Sequence, residues 1–247
     1  MSEATEQAAI WDRWAGEDVT TYGVKDPQTA ADFLAPFAAT GPALELGPGV
    51  GLVAMELARR GATVTGLEIS PQMAEQIEQS RGDLPVTVQV GDMAAIPDIG
   101  PFALIYATNS TMFSLLTQQR QLDCFAGMAR VLAPQGRIVL EAFAPHRQGA
   151  VTHRQNLALR ALGEDLVDLS ATIHDPATQR LTFREIRLAA DQRVKVLPVE
   201  TRYIWPSEMD LMARLAGLTL IERFNGYARG AYSADSVRHV SVYGRPQ

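Results

Sequence analysis

The residues best placed to do chemistry are two carboxylates and a run of glycines. Glu45-Leu46-Gly47-Pro48-Gly49-Val50-Gly51 follows a short apolar run and opens a helical pattern, so the missing side chains let a ligand lie against the backbone. Glu45 stands just before the loop, where its charge can meet a cationic group. Glu68 lies 17 residues past Gly51, at the end of the next apolar run. A carboxylate there can accept two hydrogen bonds from the vicinal hydroxyls of a ribose. The third element is Gly91-Asp92-Met93, in which Asp92 can accept from an adenine amino group or cap a helix, and Met93 can lie against a ring.

The spacing separates two ligand classes. A dinucleotide fingerprint places its third glycine five residues after the first. Here that place is Leu52, and the glycine comes one residue earlier, at Gly51. Glu45 would also repel a pyrophosphate. S-adenosylmethionine has no phosphate and carries an ammonium and a sulfonium, so it meets no such repulsion. Glu68 is compatible with either adenosine ligand, and Asp92 is where the two diverge.

These residues need a frame that brings them to one edge. Short apolar runs alternate with helical patterns from Pro42 to Phe143, the mark of βαβ units around a parallel sheet. Strands are expected at Ala43–Leu46, Thr63–Leu67, Val86–Val90, Ala103–Ala107 and Arg137–Phe143, with helices at Leu52–Arg60, Pro71–Gln79 and Gln118–Leu132. Ser70 before Pro71 supplies an N-cap and a favourable first-turn proline, and Ala133-Pro134-Gln135-Gly136 ends the long helix in a turn. Residues 41–145 thus form a doubly wound α/β core behind a helical cover, 1–40.

Beyond Pro145 the pattern changes. A helix is expected over His153–Leu162, followed by β segments at Leu166–Ile173, Arg180–Leu188 and Arg193–Trp205. Broken alternation near Glu185 suggests a bulge, and Pro198 marks an edge strand. Residues 146–205 read as a small antiparallel β insertion. Residues 206–247 return through a helix capped by Ser207 and running to Ala216, then strands Leu218–Phe224 and Arg238–Tyr243 that complete the core sheet.

The three elements, in order and at consecutive strand ends over Leu44 to Phe143, resemble the class I S-adenosylmethionine-dependent methyltransferases of small-molecule type. Leu132-Ala133-Pro134-Gln135-Gly136 resembles that family's L-x-P-G-G turn, with Gln135 departing at the first glycine. The resemblance implies a Rossmann-like sheet of seven strands, mostly parallel, with the last antiparallel. It implies that Glu45 faces the methionine ammonium through water, that Gly47, Pro48, Gly49 and Gly51 admit the methionine moiety, and that Glu68 takes the ribose. Gly91, Asp92 and Met93 would take the adenine, with Ile69 and Met73 beside the adenosine. Thr108, Asn109 and Phe113 would wall the sulfonium and the incoming acceptor.

Methyl transfer from a sulfonium is an in-line displacement, so no metal is expected and alignment in a dry pocket is the main requirement. A hydroxyl acceptor needs a base where an unprotonated amine does not. His146, just after the fifth strand, and His153 are the first candidates, while His174 reads as an exposed turn residue and His239 as a strand residue. Trp14 and Tyr22 belong to a segment resembling the amphipathic cover of related enzymes, and Tyr22 would contact the methionine end or the methyl group. Arg147 and Arg154 are placed to meet an acidic acceptor. By architectural resemblance the β insertion either covers the acceptor or forms a homodimer interface.

Composition trims the alternatives. A net charge of −6 argues against a partner bound through phosphates, although residues 146–247 carry 14 basic against 11 acidic side chains. The single cysteine, Cys124, allows no intrachain disulfide and suits a reducing compartment. The N-terminus lacks a secretion signal and no run of 18 apolar residues is present, so a cytoplasmic protein away from membranes is expected. An RNA or protein methyltransferase, or a noncatalytic binder of the same cofactor, are the competing functions.

Overall fold

A computed structural model describes residues 2–17, 26–147, 149–190 and 194–246. Two helices come first, α1 (Glu3–Trp14) and α2 (Pro27–Ala38). The alternating pattern then becomes β1 (Ala43–Leu46), α3 (Leu52–Arg59), β2 (Val64–Glu68), α4 (Pro71–Ser80), β3 (Val86–Val90), β4 (Phe102–Ala107), α5 (Gln118–Val131) and β5 (Leu132–Phe143). These five strands pair in parallel.

A short helix α6 (Gly149–Thr152) leads into β6 (Gln155–Leu162), β7 (Leu166–Asp175), β8 (Arg180–Ala189) and β9 (Lys195–Arg202), which form a separate four-stranded antiparallel sheet in chain order. The chain returns through α7 (Pro206–Leu215), β10 (Thr219–Phe224) and β11 (Arg238–Gly244). The main sheet has the order β10-β11-β5-β4-β1-β2-β3, with β11 inserted antiparallel between β5 and β10. This is the seven-stranded Rossmann-like architecture with a β insertion after the fifth strand.

Every residue of β1 and β4 is buried, as parallel strands covered on both faces require. One face packs Leu44, Leu46, Ile105 and Leu140 against Phe125 and Met128 of α5. The opposite face packs Ala43, Tyr106 and Val139 against Phe33 of α2 and Leu57 of α3. Ser70 caps α4 by accepting from the Met73 amide at 3.1 Å, with Pro71 in the first turn as the sequence suggested. The C-terminal ends of β1 to β4 therefore emerge together.

Several expectations need correction. His153–Leu162 is a strand over Gln155–Leu162 and not a helix: its Gln, Leu, Ala and Arg residues favour helix, but pairing with β7 from Gln155↔Ile173 to Leu162↔Val167 overrides that weak preference. The bulge lies in β6, between Leu159 and Ala161, while β8 runs through Glu185 without a register break. Trp205, not Ser207, occupies the N-cap of α7 and offers no side-chain cap, because Pro206 already fits the first turn. The third insertion strand is shorter, Lys195–Arg202, and is the edge strand that Pro198 suggested. β5 starts earlier, at Leu132, with a register shift against β4. His174 is a buried strand residue whose ring nitrogen lies 3.2 Å from the Tyr203 hydroxyl.

Candidate functional site

The loop after β1 owes its path to three left-handed glycines, Gly47 (φ +62°), Gly49 (φ +59°) and Gly51 (φ +81°). A Cβ on Gly47 would lie 2.5 Å from Cγ2 of Thr111, so the loop and the segment after β4 approach as closely as backbone allows. Glu68 ties the next loop to this one. Its Oε2 accepts from the Gly49 amide at 2.8 Å and its Oε1 from the Ser70 amide at 2.9 Å. The side chain is only 3% exposed, and burial pushes its pKa up to about 7 despite those two donors.

Glu45 is also buried, and accepts from the Tyr106 hydroxyl at 2.9 Å. Burial raises its pKa to about 8; Tyr106 opposes the shift and the nearby Glu68 charge adds to it. After β3, Asp92 caps the following turn through the Ala94 amide at 2.9 Å. One guanidinium nitrogen of Arg120 contacts both of its oxygens, at 3.0 and 2.8 Å. Gly91 packs closely on Leu67, whose Cδ1 would be 2.7 Å from an added Cβ.

The turn after β4 is strained. Asn109 and Ser110 are consecutive non-glycine residues at φ +51° and +61°, each costing about 1–2 kcal/mol. They are held by β5: the Asn109 amide donates to Oε2 of Glu141 at 2.5 Å, and Oγ of Ser110 accepts from the Phe143 amide at 3.0 Å. The Thr111 hydroxyl donates to the Thr108 carbonyl at 2.7 Å, and the Phe113 ring meets Phe143 edge-on at 4.8 Å.

Helix α1 lies across these strand ends. At one end Glu3 accepts from the Leu116 amide and forms an ion pair with Arg120, both at 2.9 Å. At the other, Asp12 accepts from the Ser70 hydroxyl at 2.5 Å, and the Trp14 indole donates to the Pro198 carbonyl at 2.9 Å. Trp14 packs with Met73 and Leu197, so α1 bridges the α4 side of the core and the edge of the β insertion.

The structure thus brings together Gly47, Pro48, Gly49, Gly51, Glu68, Ile69, Gly91, Asp92, Met93, Thr108 and Asn109 along the C-terminal edge of β1 to β4, with Met73 and Trp14 beside them. The expected bases are solvent-facing. His146 is exposed, with its Nε2 on the Ala234 carbonyl at 2.9 Å, and His153 and Arg154 are exposed where β6 begins. Tyr22 and the side chain of Arg147 lie outside the described residues. Arg120, Glu3, Asp12 and Glu141 enter unannounced by the sequence reading, although a lone carboxylate in the apolar run Ile138-Val139-Leu140-Glu141-Ala142 was a signal for the last.

Comparison with known proteins agrees with this geometry. The profile described as "Methyltransferase domain" matches residues 43–136. The CcbJ methyltransferase from Streptomyces caelestis superposes with a TM-score of 0.90, at 32% identity over the whole of both chains. The chain belongs to the class I S-adenosylmethionine-dependent methyltransferases. It is 26% identical to the cypemycin N-terminal methyltransferase of a Streptomyces species, over 78% of each chain. The fold is shared with CalS10, an amino pentose methyltransferase from Micromonospora echinaspora solved with S-adenosylmethionine, at a TM-score of 0.71, 21% identity and 98% and 97% coverage.

S-adenosyl-L-methionine is the cofactor of this methyltransferase, and the residues present fit it. The glycine cradle leaves room that a side chain would fill, and a buried carboxylate stands at the end of β2 with two amides fixing its orientation. Among the described residues no group of His, Cys, Asp and Glu is arranged to hold a metal, and no helix is long and apolar enough to cross a membrane.

Proposed function

We propose that this methyltransferase acts on a nitrogen, or an oxygen, of a small-molecule or peptide acceptor at the C-terminal edge of β4 and β5. The observation that carries the reading is Glu68, buried, doubly anchored and poised near neutrality between the loops of β1 and β2. Two hydroxyl donors from a ribose would favour its charged form and offset the burial. Glu45 is similarly poised, and an approaching ammonium would draw it to the carboxylate form.

When bound, the cofactor supplies a methyl group already activated on a sulfonium. The chain's task is then to hold, align and dry the reactants. Gly47 and Gly49 let the backbone approach the methionine end, Asp92 and Met93 flank the adenine, and α1 excludes water from above. Asn109 and Ser110, locked by Glu141 and Phe143, fix the wall beside the transferred group. Their strain is what such positioning costs.

Nitrogen is the favoured acceptor atom. An amine arriving unprotonated needs no base, which suits a site whose nearest expected histidines are exposed, His146 being engaged with Ala234. A hydroxyl would call on one of them, or on Tyr22. The name of one similar protein, the cypemycin N-terminal methyltransferase, points the same way. Methyl-labelled S-adenosylmethionine, incubated with the chain and fractionated cell extract, tests this. Label should appear on nitrogen in a small-molecule or peptide fraction, with one S-adenosylhomocysteine formed per methyl. Label in RNA, or none despite cofactor binding, would overturn it.

A further inference from the structure

Helix α1 buries two side chains, Trp14 and Gln7. Trp14 is what an inward helix face calls for, a large apolar body whose indole finds the Pro198 carbonyl. Gln7 is not. It is 3% exposed, and neither its amide nitrogen nor its amide oxygen has a hydrogen-bond partner among the described residues. The hydroxyl of Thr201 on β9, a residue 9% exposed, is buried and unpartnered in the same way. Buried carboxamides and hydroxyls nearly always have partners, and leaving them without one is costly.

The surrounding contacts bring these two residues to the same stretch, because α1 and β9 run side by side in opposite directions. At one end Lys195 pairs with Glu17 at 3.0 Å, and the Arg13 guanidinium donates to the Val196 carbonyl at 2.7 Å, next to the Trp14 bond to Pro198. At the other end the Gln121 amide donates to the carbonyls of Leu115 and Arg202, both at 2.9 Å, while the adjacent Leu116 amide donates to Glu3. Gln7, one turn inward from Glu3 on the same helix face, therefore comes level with Val199 to Thr201. Thr201 shares the sheet face of Leu197 and Val199, which pack with Trp14. β9 also packs on Thr111–Ser114, the turn that follows the strained pair Asn109 and Ser110. Both orphaned groups thus face the space over the wall beside the transferred methyl group.

We propose that Gln7 and Thr201 bind the methyl acceptor, through an uncharged group that carries both a donor and an acceptor, a hydroxyl or an amide near the methylated atom. The proposal rests on the reading that a small-molecule or peptide nitrogen or oxygen is methylated at this edge. Gln7 offers donors and an acceptor from one side and Thr201 a hydroxyl from the other, so such a group satisfies both. An acidic flank fits poorly. Arg120 and Arg202, which border this stretch, are already neutralised by Glu3 and Asp92 and by Glu208. On the same face of the insertion, Oε2 of Glu185 is buried without a partner and would repel an anion. A site built around buried polar groups discriminates strongly against analogues that leave them unpaired.

Gln7→Met and Thr201→Val keep the shapes and remove the orphaned atoms, so neither should lower the ligand-free melting temperature. Each should bind S-adenosylhomocysteine within about twofold of wild type in calorimetry. The activity probe is the extract fraction that the wild-type chain labels from methyl-labelled S-adenosylmethionine. Each variant should label it at least about tenfold more slowly when the fraction is limiting, with a smaller loss at saturation, the mark of lost acceptor binding. Thr201→Ser keeps the hydroxyl and should retain most of the rate. Protease digestion of the product tells a peptide amide from a hydroxylated small molecule, and either supports the proposal. Unchanged acceptor dependence in both variants would overturn it, as would a labelled product whose sole polar flank is a carboxylate. A lower ligand-free melting temperature would place the partners of these groups within the chain, and weaker S-adenosylhomocysteine binding would assign them to the cofactor; each also overturns it. No labelling by the wild-type chain would instead defeat the acceptor reading beneath it, while the melting comparison still tests the orphaned groups.

Discussion

Replacing Gly47 by alanine isolates what holds the cofactor loop in place. Two costs add. A Cβ at φ +62° costs about 1–2 kcal/mol for the left-handed backbone. The same Cβ sits 2.5 Å from Cγ2 of Thr111, about 1 Å inside ordinary carbon–carbon contact. Thr111 cannot simply retreat, because its hydroxyl and amide both bind the Thr108 carbonyl, at 2.7 and 3.0 Å. Overpacking of this kind costs roughly 1–3 kcal/mol more, giving a total of about 2–5 kcal/mol.

Gly82→Ala is the control, at φ +55° with nothing within 4 Å of the added carbon, and should cost the backbone part alone. Thr111→Ser removes the clashing methyl and keeps the hydroxyl, so the double variant Gly47→Ala/Thr111→Ser should recover the steric part. Urea denaturation of the four chains in a cycle measures both parts. A Gly47→Ala cost no larger than that of Gly82→Ala, or no recovery with Thr111→Ser, would refute the steric contribution.

Other residues give separable outcomes. With its pKa near 7, Glu68 should be charged in about one-eleventh of molecules at pH 6 and ten-elevenths at pH 8, so S-adenosylhomocysteine should bind about tenfold more weakly at pH 6. Titration calorimetry of wild type against Glu68→Gln cancels the ligand's own ionisation, and the variant should lack this slope. Because the folded-state pKa is raised, Glu68's contribution to ligand-free stability is full below the ordinary carboxylate range and is lost as pH rises through about 7. Melting temperatures of Glu68→Gln should accordingly decline less from pH 5 to pH 8. Asp12→Ala removes the acceptor for the Ser70 hydroxyl and should speed cofactor association and release alike in stopped-flow, leaving Kd within about threefold. Glu141→Gln weakens the anchor of the Asn109 amide and should lower kcat about tenfold while leaving S-adenosylhomocysteine affinity unchanged.

The cofactor half of the molecule was legible because its constraints are local. Glycine spacing, Ser70-Pro71 and an acidic residue after each of two strands mark backbone geometry that a sequence displays directly. The insertion was harder to read, because β6 is built from good helix formers whose strand conformation depends on pairing with the next strand, from Leu162↔Val167 to Gln155↔Ile173. His174 looked like a turn residue for the same reason: only its register against Leu181 places it beneath the sheet. Asp92 and Glu3 both meet Arg120, from elements 28 and 117 residues distant, a convergence with no sequence period to betray it.

Whether the buried carboxylate at the end of β2 holds the cofactor is tested most directly by one titration. S-adenosylhomocysteine should bind the wild-type chain with one molecule per chain. It should bind Glu68→Ala at least about thirtyfold more weakly, as expected for losing two charge-assisted hydrogen bonds. An equal affinity in a folded Glu68→Ala chain would contradict the claim and move the cofactor elsewhere on the sheet edge.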